Sequence, residues 1–255
     1  MKNLISFLSL LLVVANVFAQ TPTPVQPEPV KSIQDAMIYN SLPKGDGTPV
    51  GNANSMHTYD LRYEGMKGTQ YFIDEWLLGQ LIFSNGNNKT PKSIPLKYDT
   101  FTKDLIFKRP QGDSIIVNPK QISGFVINDP SHNISYPFVK HENLKTETGI
   151  IPLCYLMVLY KNKTSLLKYI SKRVQKADYQ GAYSVDRRYD SYLDYSEYFV
   201  QKPDSSLTRV KLKKSSIVDI LEDKKPQIEA FIKKENLTFK NDIDVARVLS
   251  YYDSL

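Results

Sequence analysis

Three histidines, one cysteine and one tryptophan bound the chemistry open to this chain. His57, His132 and His141 form neither a His-x-His nor an HExxH pattern, so the sequence predicts no metal site. His141-Glu142 opens like a zincin helix, but Lys145 stands where the second histidine belongs. Cys154 lies in the apolar run Ile151 to Val158, where a thiol acts as a small hydrophobe rather than a nucleophile. There is no Gly-x-Ser-x-Gly elbow, and Gly45-Asp46-Gly47 lacks both the GxGxxG spacing and the following Lys-Ser/Thr of a phosphate loop. No catalytic residue and no cofactor is expected.

Two groups of residues remain as binding candidates. Trp76 follows Asp74-Glu75, and an indole beside acids suits the stacking of a sugar ring. If this segment is a strand, the two acids point to opposite faces and cannot work as an acid–base pair, and Trp76 then falls in the core. The second group is the tyrosine-rich stretch that holds Tyr179, Tyr183, Tyr189, Tyr192, Tyr195 and Tyr198 among Arg187, Arg188, Asp190 and Asp194. Tyrosine offers wide contact area with a polar tip and little entropy to lose, although it is equally a good strand residue. The binding candidates are thus Trp76, Tyr189, Tyr192, Tyr195, Tyr198, Arg187 and Arg188.

These side chains need elements to hold them. From residue 56 to 214 the chain reads as short alternating runs between turn residues, with Ile94, Leu96 and Tyr98 as one such run. Leu81 and Phe83 lead into Asn85-Gly86, a dipeptide that predicts a hairpin because both residues tolerate positive φ. Turns near Gly86, Thr100, Gly112 and Pro119 leave no room for the crossover helices of a parallel sheet. Residues 165–176 fit both strand and helical spacing, and strand is preferred. A further hairpin is predicted from Tyr195–Gln201 to Leu207–Lys213 around Pro203-Asp204-Ser205-Ser206.

Residues 215–255 change period. Ser216-Ile217-Val218-Asp219 resembles a capping box, Pro226 suits the first turn of a second helix, and a third is expected from Asn241 or Asp242. The fold class is therefore α+β and mainly β: an antiparallel meander, as an open sheet or partial barrel, followed by two or three short helices.

The N-terminus reads as an address. Lys2, the apolar run Leu4 to Val17, and small residues at Val17 and Ala19 make a secretory signal with cleavage expected after Ala19. The run is too short to span a bilayer, and no other stretch reaches that length. Residues 20–55 begin with a proline-rich segment and continue rich in Gly, Asn and Pro, which predicts a spacer. Loss of Lys2 lowers the formal charge from +6 to +5, and the excess cations gather between Lys161 and Lys214. Export disfavours nucleic acid as the partner and favours anionic glycans or other envelope components. One cysteine allows no intramolecular disulfide, and none at the cleavage site allows a lipid anchor. The Asn-x-Ser/Thr sites at Asn88, Asn133, Asn162 and Asn236 have meaning only in a glycosylating secretory pathway.

The run Gly68-Thr69-Gln70-Tyr71-Phe72-Ile73-Asp74-Glu75-Trp76, with Pro95-Leu96-Lys97-Tyr98-Asp99, Leu105-Ile106-Phe107, Ile232-Lys233-Lys234-Glu235-Asn236-Leu237 and Leu249-Ser250-Tyr251-Tyr252, resembles a group of exported Bacteroidota proteins without assigned function. The resemblance implies an envelope or periplasmic setting and carries over no catalytic residue. The expectation is an exported, soluble, non-enzymatic protein that binds a glycan, an anionic surface component or a protein. A secreted hydrolase of glycans or peptides, with carboxylates assembled by folding, is the alternative. A structural subunit of an envelope assembly is the third reading.

Overall fold

The computed structural model describes residues 64–84, 93–180, 183 and 185–255. The segments expected to be signal and spacer, residues 1–55, together with His57 and the Asn85-Gly86 turn, lie outside the described residues. The strands are β1 (Gly65–Lys67), β2 (Leu77–Phe83), β3 (Ile94–Tyr98), β4 (Leu105–Lys108), β5 (Ser114–Ile116), β6 (Ile122–Asp129), β7 (Ile134–Thr146), β8 (Gly149–Lys161), β9 (Ser165–Gln175), β10 (Tyr189–Gln201) and β11 (Leu207–Val210). They make one sheet in the order β1-β10-β9-β8-β7-β6-β2-β3-β4-β5, with β11 also paired to β10. Three short helices follow: α1 (Lys214–Ile220), α2 (Lys225–Lys234) and α3 (Asp242–Ser254). The protein is mainly β with C-terminal helices, and the ambiguous stretch 165–176 is strand.

Alternation explains most of the sheet. Leu81, Phe125, Phe138 and Met157 are successive cross-strand partners on β2, β6, β7 and β8, and all four are buried on one face. In a flat sheet β3 and β8, four strand spacings apart, would be separated by about 19 Å. The ring of Tyr98 on β3 nevertheless lies 5.8 Å from that of Tyr155 on β8, and 5.4 Å from those of Phe125 and Phe138. The sheet therefore curls, and this aromatic cluster is the core it curls around. Gly79 permits the close packing of β2, since a Cβ there would collide with the Val126 carbonyl oxygen and come within 2.7 Å of Leu96.

Three local readings need correction. Phe72 to Glu75 is a bend rather than strand, so the argument placing Asp74 and Glu75 on opposite strand faces does not apply. β1 runs parallel to β10, an exception to the antiparallel pattern. α1 starts at Lys214 with no side-chain cap, so Ser216 lies inside the helix rather than at its cap, where its Oγ accepts from Lys211 N at 3.0 Å.

The helices are too short to stand alone and are held by what they bury. Ile217, Val218, Ile228, Ile232, Val245, Val248 and Leu249 pack against Leu166, Val200 and Val210 of β9, β10 and β11. Asn241 caps α3 by accepting from Asp244 N. Near the other end of α3, buried Asp253 accepts from Tyr160 at 2.9 Å and from Thr164 N at 3.1 and 3.2 Å, which fastens the helix to the β8–β9 turn. Among the described residues no helix is long and apolar enough to cross a membrane.

Candidate functional site

The hairpin of β7 and β8 does not stay in the plane of the sheet, and two residues explain why. Glu142 pairs with Leu153 and Leu144 with Ile151, so Asn143 and Pro152 face each other between them. Pro152 has no N–H to give to the ladder, and Asn143 has φ +53, in the left-handed region that asparagine tolerates better than most residues. Beyond this break the hairpin leans across β9 toward β10. At its tip Glu147 N donates to both carboxylate oxygens of Glu197 on β10, at 3.0 and 3.3 Å.

Glu197 is the anchor of this arrangement. It lies between Tyr195 and Phe199 on one face of β10 and is buried. Its carboxylate also accepts from the Tyr195 hydroxyl at 2.5 Å and from Arg209 of β11 at 3.3 Å. Arg209 bridges outward to Glu147 at 3.8 Å, so one guanidinium joins two carboxylates. Burial, then the bond to Glu197, raises the Tyr195 hydroxyl to about 12, which keeps it a donor.

Beside the anchor the leaning hairpin leaves a cleft. One lobe, of about 490 Å³, is lined by His141, Leu144, Lys145, Phe199, Leu207 and Arg209 among others. A smaller lobe of about 190 Å³ shares His141 and Leu207 and is floored by Leu156 and Leu167. The larger lobe falls in the size range of small-molecule sites. Its base is aliphatic and aromatic, and its edge carries Lys145 and Arg209. Burial holds His141 below the usual histidine range, against a smaller opposing pull from Glu142, so it is neutral at physiological pH.

The residues singled out from sequence are spread over several places. Tyr192 and Tyr198 point to one face of β10, and Tyr189 and Tyr195 to the other, as the strand period requires. Tyr192 bonds Gln70 at 3.2 Å and packs edge-on against Phe101, while Tyr198 packs with the helical core. Lys67 sits 3.5 Å over the Tyr189 ring, and the Arg173 guanidinium 3.4 Å over the Tyr195 ring. Arg187 donates to the Lys176 carbonyl at 2.5 and 3.2 Å, and Arg188 pairs with Asp186 at 3.1 Å. Of these residues only Tyr195 belongs to the anchor network beside the cleft.

Trp76 lies at the surface, 36% exposed, rather than in the core. Lys97 and Lys108 approach its ring at 5.6 and 5.8 Å. Asp74 is bonded to Lys97 at 2.9 Å, and that bond chiefly holds its carboxyl below the ordinary range. His141 stands on strand β7, which ends the comparison with a zincin helix. His132 is bonded to Asp129 at 2.7 Å. Among the described residues no group of His, Cys, Asp and Glu is placed to hold a metal ion.

Sequence reasoning passed over Glu197 and the Asn143–Pro152 pair. The first had a signal: a carboxylate flanked on its strand face by Tyr195 and Phe199 implies a buried partner. Comparison with family models, with curated proteins and with solved structures yields no match.

Proposed function

We propose that the protein is an exported, non-enzymatic binding protein of the cell envelope, whose cleft beneath the leaning β7–β8 hairpin takes an amphipathic anion. The signal-like residues 1–19, the spacer after them and the resemblance to exported Bacteroidota proteins support the setting. One observation carries the ligand class: a floor of Leu156, Leu167, Phe199 and Leu207 lies beside the cation Lys145, while Arg209 is already held by Glu147 and Glu197. An acyl chain with an acidic head matches both parts, whereas a glycan would leave the aliphatic floor uncovered.

The test uses 8-anilino-1-naphthalenesulfonate, an apolar ring system with an acidic group, and the mature chain. Saturable binding near one equivalent, displaced by decanoate and weakened about fivefold or more in Lys145→Gln, is expected from loss of a charge contact. Binding that is unsaturable, or unchanged in Lys145→Gln and in Leu207→Ala together, rejects this cleft as the site.

The convergence of Glu147 and Glu197 on Arg209 favours a second reading, a glycan hydrolase with paired carboxylates. Against it, Glu197 already accepts from three donors. Turnover of a chromogenic glycoside that disappears in Glu147→Gln would establish hydrolysis over binding.

A further inference from the structure

A second cavity, of about 440 Å³, opens between the β3–β4 turn and β8, away from the cleft, and falls in the size range of small-molecule sites. Leu105, Val117 and Leu153 give it aliphatic walls, and Phe101 and Tyr155 add aromatic ones. Phe101 is exposed, whereas Leu105 and Tyr155 are buried, so the cavity has an open mouth and a closed base. The turn that forms one wall is tightly built: the Asp99 side chain accepts from Phe101 N at 2.8 Å and from Thr102 N at 2.9 Å, and Asp99 N donates to the Asp104 carbonyl at 2.9 Å. A wall fixed at both ends loses little freedom when a ligand enters.

One charged group in this lining is uncommitted. Asp104 is partly buried, and among the described residues its carboxylate takes part in no ion pair and accepts no hydrogen bond. Burial, then the charge of Asp104, pushes the Tyr155 hydroxyl up to about 12, so acid and phenol face the same space. Neighbouring cations are held elsewhere. Lys103 Nζ turns away to donate to Ser171 Oγ at 2.7 Å and to the Thr100 carbonyl. Lys140 Nζ donates to the Pro119 carbonyl at 3.2 Å and lies 3.8 Å from Glu142.

We propose that this cavity binds a small, largely apolar organic amine, whose ammonium pairs with Asp104 and whose hydrocarbon part fills the space between Leu105, Val117 and Leu153. The lining selects charge as well as shape. An apolar acid would set like charge against like, and an uncharged hydrocarbon would leave a partly buried carboxylate without a partner. Phe101 and Tyr155 favour the same choice, because an ammonium is drawn to the faces of aromatic rings. The ligand is opposite in charge to the one proposed for the cleft under the β7–β8 hairpin, so occupancy of the two sites can be told apart.

The test is calorimetric titration of the mature chain with phenethylamine at neutral pH, with phenethyl alcohol as its uncharged match. Saturable binding of about one equivalent is expected, at least about tenfold tighter for the amine than for the alcohol, because a charge-assisted bond is lost with the ammonium. Asp104→Asn keeps the shape of the side chain and should weaken the amine about tenfold while leaving the alcohol unchanged. Should that variant not fold, Val117→Trp, which narrows the cavity without touching the charge, must still weaken amine binding about tenfold. No saturable binding of the amine up to about 10 mM, equal affinity for amine and alcohol, or amine affinity unchanged in both variants overturns the proposal.

Discussion

Tyr195 donates its hydroxyl to Glu197 Oε1 across 2.5 Å, two positions along one strand and on one face. The bond sits where the tip of the β7–β8 hairpin comes down on β10, so its loss is felt beyond β10. Glu197→Ala removes the acceptor shared by Tyr195, Arg209 and Glu147 N, and leaves buried donors without a partner. A loss of about 3 kcal/mol in unfolding free energy is expected. Urea denaturation checks it, with an unchanged m-value and a lowered midpoint. A loss below about 1 kcal/mol would mean that the hairpin leans for another reason.

Alkaline pH attacks this bond and a second tyrosine–carboxylate bond, from Tyr252 to Asp223. Tyr195 is raised to about 12 by burial and then by Glu197, and Tyr252 to about 12 by burial and then by Asp223. Both folded-state values lie above the ordinary tyrosine value near 10. Their contribution is therefore fully present below pH 10 and is lost as pH rises from 10 through about 12. Tyrosinate absorbance should show a late group of tyrosines, and unfolding free energy should fall across that interval. A single titration near pH 10 for every tyrosine would contradict this.

Cys154 is buried, and burial pushes its thiol up to about 12 against a smaller opposing effect of Lys103. A thiol so placed is protonated and enclosed, hence inert. Ellman's reagent at pH 8 should find no fast-reacting thiol in the native protein and one equivalent in urea. Rapid native reaction would place Cys154 at a surface.

Asn143→Gly should stabilise the protein by up to about 1 kcal/mol, because glycine accepts positive φ without strain. Asn143→Val should cost about 1–2 kcal/mol, since a β-branched residue resists that conformation. The second variant should also weaken binding of the anilinonaphthalene probe, as the bend that shapes the cleft is disturbed. Equal stability of the two variants would remove the bend from the explanation.

The meander was legible because its strands alternate against one buried face: Ile94, Leu96 and Tyr98 are half of a surface whose other half is Phe125 and Phe138. The helices were legible from stripes such as Val245, Val248 and Leu249, with Asn241 before them. The cleft was not, because it depends on Asn143 meeting Pro152, and that pairing is defined only by the β7–β8 register. Tyrosine density was likewise a poor guide to a surface. Tyr192 and Tyr195 differ by three positions, an odd step, which sends them to opposite faces of β10. The bond between Lys103 and Ser171 carried no signal, since it joins residues 68 positions apart.

Strand β1 lies beside β10, with Gly65 opposite Tyr189, and Gln70 is bonded to Tyr192 across 122 positions. Time is the quantity this governs. Contacts between distant positions form only after long loops close, so chains rich in them fold in milliseconds to seconds rather than microseconds. A newly made chain of this topology therefore stays open for an interval before its sheet sets. That slowness leaves the strands exposed to one another's company while they wait.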